Sequence, residues 1–205
     1  MKKKIFLAAI CMVFISASLC QALPTYTVAD VSGAQFSYNG GTGGLFYVNS
    51  SFYTYCLETG EFLTIGYPYP GTIDSTIWYG TSATGNHDTT IEAQTKGLYD
   101  YFLDNMGTLT GAQEAQIQEA IWAFQGQLNY TPGTGNDFYT NPGSYVGTVR
   151  NIEALNLWYP DGSQYTTDGA RQSLLIVGAV PEPSILILLG LGLVGLAGTS
   201  RKFKK

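Results

Sequence analysis

Residues 110–128 read "TGAQEAQIQEAIWAFQGQL". Ile117, Ala120, Ile121, Phe124 and Leu128 recur at helical spacing, so the stretch predicts an amphipathic helix with one apolar stripe. Thr110 can cap it, with Gln113 three residues on as in a capping box, and Gly126 weakens its far end. Just upstream, "TTIEAQTKGLYDYFLDNM" (89–106) carries Ile91, Leu98, Tyr101, Phe102 and Met106 and predicts a second helix. On either side the signals are β. "TYTVADV" (25–31), "GLFYVN" (44–49) and "SFYTYCLE" (51–58) precede the helices, and "TVRNIEALNLWY" (148–159) and "RQSLLIVGAV" (171–180) follow them. "YNGGTGG", "GYPYPGTID", "NDFYTNPGSY" and "PDGSQYTTDG" read as turns or loops. The order β, helical, β predicts an α+β fold: a mainly antiparallel β-unit with a helical insertion.

The two ends differ from this middle. Lys2, Lys3 and Lys4 precede an apolar run from Ile5 to Leu19 and small residues up to Ala22, the pattern of a secretory signal peptide cut after Ala22. Cys20 follows Leu19 where lipid attachment needs a small residue, so a lipoprotein is not expected. At the other end Pro181, Glu182 and Pro183 precede an apolar run from Ser184 to about Thr199, then Arg201, Lys202, Lys204 and Lys205. That run predicts a single membrane helix whose basic tail stays cytoplasmic. The expected organisation is a signal peptide at 1–22, an ectodomain at 23–179 and a sorting segment at 180–205.

The ectodomain has three basic and fourteen acidic residues, a formal charge of −11. Such a surface repels nucleic acid and anionic lipid, so neither is an expected partner. Its wealth of Gly, Thr, Ser, Asn and Tyr suits extracellular β-structure with polar loops. "GGTGG" (40–44) is not a phosphate loop, since no Lys-Ser/Thr or helix start follows. No metal or cofactor site is expected: Glu58 and Glu61 could flank a thiol or bind a cation, but no dense Asp/Glu/Asn loop motif lies nearby to support a calcium site.

That thiol is Cys56. Once the signal peptide with Cys11 and Cys20 is removed, it has no partner in the chain for a disulfide. An inert core cysteine is the bland reading. Gln118 makes a sharper one available. It sits at the edge of the apolar stripe, sharing a face with Ile121 and Trp122, where a carboxamide must find a partner. A low-pKa or desolvated thiol against a rigidly held carboxamide can expel ammonia and leave an internal thioester, provided water is excluded. Tyr53, Tyr55, Trp122 and Phe124, with Ile121 in support, are the candidate shield. The geometry this requires has Cys56 and Thr54 pointing toward the helix and Tyr55 on the opposite face. Ile117 and Ile121 enter the core beside Gln118, with Glu114 and Glu119 outward. Gln116 is a reserve candidate; Gln113, Gln116, Gln125 and Gln127 are expected in solvent.

Two resemblances bear on function. Val180-Pro181-Glu182-Pro183, the apolar run and the basic tail together resemble a PEP-CTERM sorting signal. This implies an exosortase-type processing enzyme as partner. It also implies export through the inner membrane, transient anchoring by the C-terminal helix, and arrival at the cell surface or extracellular matrix. "TYCLE" and "IQEAIW" resemble the paired motifs of bacterial thioester domains, in which an aromatic-Cys-aliphatic strand precedes a Gln-x-Ala-Ile-Trp helix. This implies a Cys56–Gln118 cross-link that is spent on an amine or hydroxyl of a surface protein or exopolysaccharide, without turnover. The glutamine usually follows a threonine in that family; here Ile117 precedes it. One alternative is a non-covalent structural or carbohydrate-binding matrix protein. Another is a cysteine hydrolase pairing Cys56 with His87, oriented by Asp88, Asp74 or Asn86.

Overall fold

Strand β1 (Thr25–Tyr38) organises the molecule, pairing antiparallel with β2 (Gly41–Val48) on one side and β4 (Pro68–Asp74) on the other. The computed structural model describes residues 23–38, 41–59, 63–78, 89–145, 150–159 and 170–178. With β3 (Phe52–Tyr55), β7 (Ile152–Trp158) and β8 (Ala170–Val177), the strand order is β3-β2-β1-β4-β7-β8, every pairing antiparallel. The outer strands then meet. Cys56 bridges Leu174, and the Leu57 N–H donates to the Ser173 carbonyl at 2.9 Å. The sheet therefore closes on itself at Cys56. A small hairpin, β5 (Thr76–Ile77) with β6 (Thr89–Thr90), lies beside it.

The helical insertion is α1 (Ala93–Asn105) and α2 (Gly111–Phe124). The capping box at Thr110 and Gln113 is formed, each side chain satisfying the other's backbone N–H. At the other end of α2, Gly126 takes φ +68; its N–H donates to the Ala123 carbonyl, and the Gln127 N–H to Trp122 at 2.8 Å, a Schellman stop. Open space surrounds that glycine, so its cost to replace is conformational. Gly126→Ala is expected to lower stability by about 1 kcal/mol, read as a shift in urea midpoint at constant slope. Arg150 joins α1 to the start of β7 by ion pairs to Asp100 and Asp104.

The α+β architecture agrees with the sequence reading, but three local expectations need correction. "GYPYPGTID" is not a loop: residues 68–74 form β4, between β1 and β7. The prolines are tolerated because Tyr69 and Gly71 face β1, with the Gly71 N–H donating to the Pro24 carbonyl. Pro68 and Pro70 alternate with them and face away, and the β7 ladder begins only at Gly71. "NDFYTNPGSY" contains a short helix, α3 (Asp137–Thr140), capped by Asn136, and a 3₁₀ turn at Pro142–Ser144. Met106 is exposed beyond the end of α1; Tyr99 is the buried aromatic of that helix that the spacing missed.

Two apolar clusters result. Tyr55 and Leu57 pack with Leu98, Phe102, Ile117 and Ile121 between sheet and helices. Val28, Phe46, Cys56, Leu157 and Leu174 form the other, joined by Trp122 from α2. No helix among the described residues is long and apolar enough to cross a membrane; Ser184 to Thr199 lies outside them.

Candidate functional site

The β2–β3 ladder runs Val48↔Phe52, Tyr47↔Tyr53, Phe46↔Thr54, Leu45↔Tyr55. One step further it would pair Gly44 with Cys56. Instead the strands part, and the Gln118 side chain fills the gap. Its Oε1 accepts from the Cys56 N–H at 3.0 Å and from the Gly44 N–H at 3.2 Å. Its Nε2 donates to the Cys56 carbonyl at 2.9 Å. The carboxamide thus stands in for a strand residue, bonded to both polar groups of the cysteine's own backbone.

The parting has a local cause. Where β1 faces β2, the register shifts between Asp30 and Gln35, with Gly33 at φ +85. Gly44 sits at φ +154, and a Cβ there would lie 2.3 Å from the Ala34 carbonyl oxygen. This bulge leans on α2: a Cβ on Gly111 would strike the Gly33 carbonyl oxygen. Gly43, next along, lies against Trp122 and Gln118, and a Cβ would meet the indole ring at 2.3 Å. Two glycines therefore let α2 approach closely enough for Gln118 to reach the strand.

Cys56 is free and buried, at 2 % exposure, and Gln118 at 0 %, so bulk water is excluded from both. Burial pushes the thiol well above its usual pKa range, and the charges of Glu58 and Asp30 push it further. Any activation of this thiol is by desolvation and placement, not by a lowered pKa. Glu58 is buried two residues on; its Oε2 accepts from the Ser173 N–H at 2.8 Å, while its carbonyl accepts from Gln172 Nε2.

The proposed shield divides. Trp122 shares the Cys56 cluster and meets Phe36 edge-on at 5.6 Å between ring centres. Tyr55 and Ile121 belong to the helix-facing cluster, where Tyr55 meets Phe102 at 5.0 Å. The expected facing is thus reversed: Tyr55 looks toward the helices and the thiol looks away, into the closed sheet. Gln118 reaches the cysteine through its backbone. Ile117 and Ile121 are buried beside Gln118 as expected, while Glu119 is held by Tyr130 and Asn136. Gln116 donates to the Gly135 carbonyl. Gln125 and Gln127 are buried, contrary to the solvated expectation, bonded to Thr95 and Thr59. Sequence spacing could have flagged them only as the residues flanking the stop at Gly126.

His87, Asp88 and Asn86 lie outside the described residues, as does Glu61. Asp74 is exposed at the end of β4. No group of three or more His, Cys, Asp or Glu among the described residues is placed to hold a metal ion.

Pro181, Glu182 and Pro183 belong to a segment that compares with a known family. Residues 179–202 match the PEP-CTERM protein-sorting motif. The PEP-CTERM segment indicates exosortase-dependent export and sorting to the cell envelope and surface, with the exosortase as processing partner. It covers the C-terminal end and none of the closed sheet. No curated protein and no solved structure matches the chain.

Proposed function

We propose that the sorted ectodomain forms an internal thioester between Cys56 and Gln118 and is spent once in covalent attachment. The target is an amine or hydroxyl on a surface protein or extracellular polysaccharide. The observation that carries this reading is the fixing of the Gln118 carboxamide to both the N–H and the C=O of Cys56, in a buried site. A carboxamide bonded to both groups of one strand residue lies edge-on to that strand. The cysteine side chain stands out of that plane, and the thioester requires its sulfur to turn over a face of the carbonyl, the direction from which addition occurs. No turnover follows, because the acyl group is consumed.

The mature protein is therefore expected to weigh one ammonia less than its sequence, with Cys56→Ala restoring the full mass. The pH dependence has a definite sign. The thiol must lose its proton, and burial with Glu58 and Asp30 holds that proton above the usual range. With sulfur addition limiting the rate, ammonia loss in freshly refolded protein should therefore accelerate about tenfold per pH unit across the neutral range, with no plateau at the ordinary thiol pKa. A parent protein of unmodified mass, whose Cys56 is alkylated in the native state, would refute the thioester.

A further inference from the structure

We propose that the Gly44 and Cys56 N–H groups form an oxyanion hole for the Gln118 carbonyl, which makes Gly44 a catalytic residue through its backbone. The inference rests on the thioester reading. In bond formation the Cys56 thiol gives up its proton, Sγ bonds to Cδ, and the carbonyl π pair moves onto Oε1. The intermediate collapses by breaking Cδ–Nε2; the nitrogen takes the proton and leaves as ammonia. Negative charge thus rests on Oε1 alone, and Oε1 is the atom to which both N–H groups already donate, at 3.0 and 3.2 Å. Both bonds belong to rigid backbone in a site without bulk water, where such donors act most strongly. The Gly44 bond, at 3.2 Å, is at the long end of its range and can shorten as charge develops.

The fold explains why this donor is a glycine. With φ +154 and no room for a Cβ beside the Ala34 carbonyl, position 44 admits no side chain. The β1 register shift, the Gly44 conformation and the end of the β2–β3 ladder are one local feature, and its outcome is an N–H turned toward Gln118. Oε1 stays in place when ammonia leaves. The same pair therefore serves the second half of the chemistry, polarising the thioester carbonyl when an outside nucleophile adds.

The test is a backbone amide-to-ester replacement at Gly44, made by incorporating glycolic acid into the full chain, which removes the N–H and keeps the shape. Ammonia loss is expected to slow by about 10²–10³-fold, and thioester opening by methylamine by a similar factor. A second reading does not depend on those rates. In Cys56→Ala protein carrying ¹³C at the Gln118 carbonyl, the stretch should lie below that of a solvent-exposed glutamine and rise in the ester form. A parent that loses ammonia while the ester variant keeps pace, with an unshifted stretch, overturns the oxyanion hole alone. A parent that never loses ammonia overturns the thioester reading, and the catalytic role with it.

Discussion

In protein without the cross-link, Gln118→Ala is expected to destabilise the ectodomain by about 3–5 kcal/mol, far more than Cys56→Ala, and it should abolish the proposed covalent attachment. The asymmetry follows from what each side chain does in the sheet. Removing the carboxamide leaves the Cys56 N–H, the Cys56 carbonyl and the Gly44 N–H unsatisfied in a buried site, and each orphaned group costs about 1–3 kcal/mol. Removing the thiol leaves all three bonds intact. Comparing Cys56→Ala with Cys56→Ala/Gln118→Ala by urea denaturation excludes any contribution from a cross-link. A loss below about 1 kcal/mol in that comparison would mean that water replaces the carboxamide without penalty, and that the splice is not what holds β2 and β3 at their parting.

How much of this was legible in the sequence depends on range. The helix at 111–124 was written locally, in Thr110, Gln113 and the stripe from Ile117 to Phe124, and it formed as read. Gln118 was marked by its place at the edge of that stripe, beside Trp122. Its destination was not. That depends on a register shift in β1 some eighty residues upstream, and on two glycines that look like any loop glycines until their neighbours are known. Pro68 and Pro70 misled for a related reason, since the edge to which a proline turns its missing N–H is decided by strand pairing. Period-two alternation correctly separated Tyr55 from Cys56, but not which of them would face the helices. Both sides of this sheet are apolar, one under the helices and one within the closed sheet, so the residue pattern alone does not orient it.

Trp122→Ala should separate formation of the proposed thioester from its survival. The indole is buried at 3 % exposure, packs against Phe36 and covers Gly43 next to the Gln118 side chain. Its removal is expected to cost about 3–5 kcal/mol through the cavity it leaves. The chemical effect is the more informative one. The carboxamide keeps its three backbone partners, which do not involve the ring, so the carbonyl of the proposed thioester remains in place. What changes is access: the cavity left by the indole, beside Gln118 and the Gly43 backbone, is large and polar enough to admit water. Water adding to the thioester carbonyl frees the thiol and leaves a glutamate at 118. The variant should therefore lose ammonia as the parent does, then regain one water, and finish one unit heavier than the unreacted sequence with an alkylatable Cys56. Trp122→Phe, which refills most of the volume, should slow that hydrolysis. If Trp122→Ala holds its thioester as long as the parent under conditions where it stays folded, then the closed sheet alone excludes water and the indole serves packing only.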